Sequence, residues 1–186
     1  MHPSWDWFIM TLCRAGDPDR APKFYKALEI FHAKGNMGDL DDGPGQYPLD
    51  KNLIKTTILQ LLPDKYFDLL ITHDPAGEYT RHLRHEEASG AVIDLWHKKM
   101  ISAKELRTFA YEDGEKTYFP RPIESADIFF ELPEKIWQKK YQIITETYGF
   151  KENSFEAQTT PRAEAFRQFG SPELARQWLN KGGNKP

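Results

Sequence analysis

The sequence lacks the features that define several large classes of protein. Its single cysteine, Cys13, excludes an intrachain disulfide and fits a reducing compartment, so we expect a cytoplasmic protein. No stretch approaches the roughly 20 apolar residues of a membrane span. The amino terminus also lacks the basic and then apolar layout of a signal peptide. We therefore expect no membrane span.

An excess of positive charge is also missing. The chain has 25 lysines and arginines against 28 aspartates and glutamates, which gives a formal net charge of −3. Proteins that bind nucleic acid or anionic membranes usually carry a clustered basic excess. The composition therefore argues against a nucleic-acid partner.

What the sequence does contain is an alternation of apolar and amphipathic runs. This alternation is typical of strands joined by crossover helices and predicts an α/β domain with a mostly parallel sheet. The length of 186 residues predicts one domain over 1–186. The predicted strands are 5–12, 67–72, 106–111 and 126–132, and the predicted helices begin near Pro22, Leu53, Arg84 and Pro133.

Glycine and proline divide these elements. Gly35 is predicted to end the first helix, and the stretch 35–48, rich in Gly, Asp and Pro, is predicted to be an irregular loop. Two short helical patterns follow residue 161, and residues 181–186 are predicted to be a frayed tail.

A pair of histidines follows the second predicted strand. In "GEYTRHLRHEEA", residues 77–88, His82 and His85 stand three residues apart at a predicted strand-to-helix turn. Open parallel sheets bind ligands beyond the carboxyl ends of their strands. Two imidazoles at this spacing can point at one site, and neutral imidazole is a common zinc ligand. The order of residues does not match the helical zinc-protease patterns.

The surrounding segment, "THDPAGEYTRHLRHEEASGAVIDLW", resembles the second active-site motif of the PIG-L/LmbE-like family of zinc-dependent N-acetylglucosaminyl deacetylases. "TLCRAGDPDRAPKFYKAL", "GNMGDLDDGP", "FAYEDGEKTYFPR", "KYQIITETYGF" and "SFEA" also resemble segments of that family, so the resemblance spans nearly the whole chain. It implies a Rossmann-like three-layer α/β/α fold and hydrolysis of the N-acetyl group of an amino sugar by a zinc-bound water.

The resemblance also implies roles for individual residues. His85 corresponds to the family's third zinc ligand, and His82 to the histidine that polarises or protonates the tetrahedral intermediate. Zinc lowers the pKa of its bound water towards ~7, and a histidine donor stabilises the developing oxyanion. The implied substrate is an N-acetylated amino sugar or glycoconjugate.

One part of the family pattern is absent. The family's other zinc ligands come from a His-Pro-Asp-Asp motif, and this sequence has none. His2 and Asp6 have a different spacing, and His2 precedes a strand instead of following one, so we do not assign them to the site. We therefore expect a chain that lacks the first strand of the sheet, binds zinc weakly, and exposes an apolar edge that promotes self-association.

Other residues near the predicted site have two interpretations each. Arg20 faces the sugar in the family arrangement or pairs with a nearby aspartate, and Arg81 contacts the substrate or is simply exposed. His73 and Asp74 follow the strand end and could line the cleft. Glu86 either orients His85 or only complements the helix dipole.

Two hypotheses of function follow from the sequence. The first is a zinc-dependent amidohydrolase of the deacetylase type. The second is a non-catalytic sugar-binding or interaction domain that keeps the cleft without the chemistry.

Overall fold

The computed structural model describes residues 4–77 and 81–183, so His2, which the sequence analysis set aside, lies outside the described residues. The described part of the chain is a mixed α/β fold, as predicted. The helices are α1 (Arg20–Phe31), α2 (Lys51–Leu61), α3 (Leu83–His97), α4 (Glu134–Gln142), α5 (Phe155–Gln158) and α6 (Pro172–Lys181). Among the described residues, no helix combines the length and apolar character needed to cross a bilayer.

The described residues also form ten short strands. They are β1 (Phe8–Cys13), β2 (Lys34–Leu40), β3 (Tyr66–Phe67), β4 (Leu70–Thr72), β5 (Ser102–Ala103), β6 (Leu106–Phe109), β7 (Tyr111–Glu112), β8 (Arg121–Pro122), β9 (Ile128–Glu131) and β10 (Ala163–Phe169). The strands predicted at 5–12, 106–111 and 126–132 correspond to β1, β6 with β7, and β9. The strand predicted at 67–72 is divided between β3 and β4.

Two predictions about the segment after the first helix are wrong. Gly35 does not end that helix, and the first part of the loop predicted at 35–48 is a strand. Helix α1 ends at His32, which has left-handed backbone geometry (φ 52°), and residues 34–40 form β2. Strand β2 pairs in parallel with β1. A Cβ at Gly35 would lie 2.2 Å from the carbonyl oxygen of Ile9, and one at Gly38 would lie 2.7 Å from that of Leu12. These glycines therefore permit two backbones to approach closely.

The largest sheet is mixed instead of mostly parallel. Its four strands lie in the order β4, β6, β10, β9. Strand β4 pairs in parallel with β6, whereas β10 is antiparallel to both of its neighbours. The sequence analysis missed β10, because "AEAFRQF" consists largely of residues that favour helices. Tertiary pairing overrides that preference.

Two apolar clusters share helix α3. The first joins α2 to α3 through Ile54, Ile58 and Leu95, and side chains of β1 to β4 pack against it. In the second cluster, Ile93 and Trp96 contact residues of β6, β10 and α6. Because both clusters include α3, this helix connects the amino-terminal strands to the four-stranded sheet.

A largely buried carboxylate fixes α3 to two other helices. Asp94 lies 2.5 Å from Lys55 Nζ of α2 and 3.0 Å from Arg176 Nη1 of α6, and Lys98 Nζ is also 3.0 Å away. Burial raises the pKa of Asp94, but the hydrogen bonds from Lys55 and Lys98 outweigh that effect and lower the pKa to about 2. The ionised form is therefore favoured in the folded state.

We expect Asp94→Asn to lower the free energy of unfolding at pH 7 by about 2 kcal/mol, the equivalent of the pKa shift. A depressed carboxylate pKa stabilises the fold above the unfolded value of 3.8, and this contribution is lost as the pH falls towards 2. Denaturant melts at pH 7 and near pH 2 test both points. Equal stability of wild type and variant at pH 7 would contradict the prediction.

Strand β4 is one of the two edges of the four-stranded sheet and bears an exposed apolar side chain, since Ile71 is 38% exposed. Such edges template association between chains. We expect concentration-dependent self-association in sedimentation velocity and its reduction by Ile71→Lys. The same change at Ile136, which is exposed on α4, is the matched control. If Ile71→Lys and Ile136→Lys reduce self-association equally, the added charge and not the edge of β4 explains the reduction.

Candidate functional site

The candidate site lies where the carboxyl ends of β1, β2 and β4 approach the start of α3. Arg14 follows β1, Asp42 follows β2, and His73 follows β4. Arg14 donates to Asp42 Oδ2 from Nε at 3.2 Å and from Nη2 at 3.1 Å. His82 Nε2 lies 4.0 Å from Asp42 Oδ1. The loops after three strands therefore meet at one helix terminus.

Three imidazoles form a cluster at this terminus. The rings of His73 and His85 stack with centroids 3.9 Å apart and planes inclined by 3°. The ring of His82 is 4.7 Å from that of His85 and tilted by 34°. His82 is the N-cap of α3, and its carbonyl oxygen accepts from the backbone N–H groups of His85 and Glu86. The structure therefore brings together the two histidines of the predicted motif and His73.

The cluster favours neutral histidine. Burial, with smaller effects of His73 and His82, lowers the pKa of His85 to about 3, while Asp42 opposes the shift. The Nδ1 atoms of His82 and His85 are buried, and neither has a hydrogen-bond partner among residues 4–77 and 81–183. A neutral imidazole with an unpartnered nitrogen can accept a proton or bind a metal.

The loop between β2 and α2 is held over the cluster by a buried arginine. Arg84 is 7% exposed and donates to the carbonyl oxygens of Asp41 and Tyr47, each at 2.6 Å. It also pairs with Glu87, whose carboxylate accepts from the N–H of Leu49 at 2.8 Å. Helix α3 therefore fixes the position of the whole loop.

An open cavity of about 380 Å³ adjoins His82. It is lined by Gln46, Arg81, His82, Leu83 and Glu86. Gln46 lies in the loop held by Arg84, while the other four residues belong to the start of α3. The cavity is therefore bounded by the same two segments that meet at the imidazoles.

Arg81 and Glu86 lie together on the rim of this cavity. Arg81 Nε and Nη2 donate to the two carboxylate oxygens of Glu86 at 2.5 and 2.7 Å. The role predicted for Glu86, to orient His85, is not the arrangement seen, because its carboxylate binds Arg81. Both side chains remain within reach of a molecule in the cavity.

Two other predicted residues lie away from the cavity surface. Asp74, predicted to line the cleft, is fully buried, and it accepts from the indole Nε1 of Trp178 at 3.0 Å and from the N–H of Ala76 at 2.8 Å. Arg20 lies 4.0 Å from Asp19, and its guanidinium packs over the ring of Phe150. The structure thus gives Asp74 an internal structural role and Arg20 the pairing that was its alternative.

The residues described do not complete a zinc site. The in-plane lone pairs of two stacked rings lie in separate, parallel planes, so His73 and His85 cannot share one ion in this arrangement. Within the described ranges, no group of three or more His, Cys, Asp or Glu side chains is arranged to hold a metal. Catalytic zinc usually has three protein ligands. His85 and His82 would therefore need further donors.

Sequence reasoning missed Asp42 and Gln46, because the acidic, glycine-containing stretch was interpreted as a surface loop. The available signal was their position, since carboxylates that follow a parallel strand lie at the edge where ligands bind. This position could be recognised only if β2, the strand that precedes these residues, had been predicted.

No family model matches the chain, so the resemblance to the deacetylases stays a prediction. The chain is 24% identical over 125 residues to the uncharacterized protein L374 of Acanthamoeba polyphaga mimivirus, an alignment that covers 67% of the chain and 52% of that relative. The chain thus spans about half the length of the curated relative it matches.

Among solved structures, the chain is similar to GalB, the 4-carboxy-2-hydroxymuconate hydratase of Pseudomonas putida KT2440. The TM-score is 0.53 and the identity is 16%, over 88% of this chain and 83% of that one. The similarity extends over most of both chains and concerns the fold alone.

We expect His85 to make the fold sensitive to mild acid. Its folded pKa of about 3 lies below the ordinary histidine value of 6.5, so the unfolded chain binds the proton first as the pH falls. Its contribution is therefore present above pH 6.5 and is lost progressively towards pH 3. His85→Asn, which does not titrate, should show a smaller loss of melting temperature between pH 7.5 and 4.5. Equal losses in the two proteins would contradict this.

Proposed function

We propose that the cavity beside His82 binds an N-acetylated amino sugar and that the site belongs to an N-deacetylase related to the PIG-L/LmbE-like family. The proposal includes zinc as the metal and the Rossmann-like three-layer arrangement as the complete fold. The observation that carries it is the meeting of His73, His82 and His85 beside an open cavity at the carboxyl ends of the strands.

The lining of the cavity supports a neutral, polar substrate. Arg81 and Glu86 neutralise each other, and each keeps polar atoms near the rim that sugar hydroxyls can contact. Leu83 contributes an apolar surface that suits the methyl group of an acetamide. A sugar presents both kinds of group, which matches this lining.

His82 and His85 have different chemical roles in this proposal. His85 stays neutral because of its lowered pKa, and it acts as an acceptor or ligand. His82 lies in the cavity wall, and we assign proton transfer to it. In hydrolysis, water adds to the acyl carbon, the C–N bond breaks, and acetate leaves. The proton that the attacking water loses passes to His82, which returns it to the departing amine nitrogen.

The described residues supply an incomplete zinc ligand set, which favours the second candidate, a sugar-binding domain without catalysis. This candidate keeps the cavity and its polar rim but has no turnover. The two functions differ in one measurable respect, the release of acetate.

Hydration of an anionic substrate, suggested by the name of GalB, suits the cavity less well. Among the described residues, the one arginine that lines the cavity is already paired with Glu86, so they offer no unpaired guanidinium there for a carboxylate. A substrate with several carboxylates would therefore meet the carboxylate of Glu86 without a compensating cation.

The test is release of acetate from an N-acetylglucosamine derivative, measured with added zinc and with a chelator. We expect slow, zinc-dependent turnover that is abolished in His85→Ala and reduced about 100-fold in His82→Ala, within the usual range for loss of a general acid. His97→Ala, at the far end of α3, is the matched control and should keep full activity.

Other outcomes decide between the candidates. Saturable binding of the sugar without acetate release would favour the sugar-binding domain. Turnover that is independent of zinc, or full activity in either the His82 or the His85 variant, would contradict the deacetylase.

A further inference from the structure

Asp42 accepts several hydrogen bonds from the side chains of Arg14 and Gln46. Arg14 donates twice to Oδ2 and once to the backbone oxygen, the last from Nη2 at 3.1 Å. Gln46 Nε2 donates to the other carboxylate oxygen, Oδ1, at 3.1 Å. Both oxygens of the carboxylate are therefore held by side chains from different segments.

The two donors are themselves held in an unfavourable backbone conformation. Arg14 has φ 72° and Gln46 has φ 44°, both in the left-handed region that residues other than glycine rarely adopt. Such conformations are energetically unfavourable and persist where the surrounding structure enforces them. Both strained residues direct their side chains to the same carboxylate.

The orientation of the Gln46 amide is determined by its neighbours. Its Nε2 lies 3.1 Å from Asp42 Oδ1 and 3.0 Å from the carbonyl oxygen of Gly43, and both of these atoms only accept hydrogen bonds. A flipped amide would place oxygen against two oxygens. Gln46 therefore serves as a fixed donor to Asp42.

The group that faces this fixed carboxylate is His82. Its Nε2 is 4.0 Å from Asp42 Oδ1, the oxygen that also accepts from Gln46. An ionised carboxylate accepts only, so it favours the tautomer in which Nε2 of the imidazole carries the proton. The lone pair of neutral His82 is then on Nδ1, the buried nitrogen without a partner among the described residues.

We propose that Asp42, held by Arg14 and Gln46, is a positioning residue that fixes the ring orientation and the tautomer of His82. The proposal rests on the proposed function for its catalytic meaning, since that function assigns proton transfer to His82. The orientation of His82 itself can be measured without substrate.

The decisive measurement is a long-range ¹H–¹⁵N correlation spectrum of the histidine side chains, recorded at a pH where His82 is neutral. In the wild type we expect His82 to show one tautomer, with the proton on Nε2. In Asp42→Ala the Nδ1 and Nε2 shifts should move towards each other, as in a mixture of tautomers. Identical His82 patterns in the two proteins would overturn the proposal.

Asp41→Ala is the matched control. The carboxylate of Asp41 belongs to the same loop but is 61% exposed, and its nearest charged partner is Arg84, at 3.9 Å. This variant should leave the His82 pattern unchanged. An equal change in both variants would show a general effect of the loop and would also overturn the proposal.

Gln46→Asn provides a second route if Asp42→Ala does not fold. Asparagine tolerates a positive φ but is too short to hold Asp42 Oδ1, so the carboxylate remains while one of its anchors is lost. We expect a partial shift of the His82 pattern towards the mixture. An unchanged pattern in this variant would count against Gln46 as an anchor and so overturn the proposal as stated.

Kinetics separates this proposal from the proposed function. If the chain releases acetate, Asp42→Ala should lower kcat at least tenfold and leave KM within about twofold, because the positioned group acts on the reaction and not on sugar binding. If the wild type has no turnover, the deacetylase proposal fails, while the His82 spectra still decide the role of Asp42.

Discussion

The candidate site depends on the contacts that the buried guanidinium of Arg84 makes. The guanidinium binds two backbone oxygens of the loop 41–49 and the carboxylate of Glu87, so one cation joins the loop to the first turns of α3. A buried charge is tolerated only when its donors are satisfied, and here carbonyl oxygens and a carboxylate satisfy them. Without this contact the loop that carries Asp42 and Gln46 would lose the two bonds from Arg84 to its backbone.

Helix α3 is thus fixed near both ends by charge and in the middle by apolar packing. Arg84 acts near its start, and Asp94 joins it to α2 and α6 through Lys55 and Arg176. Between them, one apolar face packs on the strands of the amino-terminal half and another on the four-stranded sheet. A helix held in this way is a rigid support for the imidazoles on its first turn, which is what a preorganised site requires.

The sequence predicted α1, α2 and α3 because their apolar spacing is local information. It also predicted that His82 and His85 would lie together, since a helix start imposes that proximity. Strand β10 could not be found this way, because its residues favour helices and only pairing with β6 and β9 makes it a strand. The burial of Asp74 likewise depends on Trp178, which is 104 residues away in the chain. Long-range contacts of this kind leave no periodic signal.

The contact between Asp74 and Trp178 also bears on the order in which the protein is assembled. Asp74 directly follows His73 of the imidazole cluster, whereas Trp178 lies in the last helix, and Gly183 approaches so closely that a Cβ there would be 2.2 Å from the carboxylate. During synthesis the amino-terminal strands emerge first, but the carboxylate beneath the site has no indole partner until α6 has left the ribosome. The bond between Asp74 and Trp178 is therefore among the last contacts of the described chain that can form during synthesis.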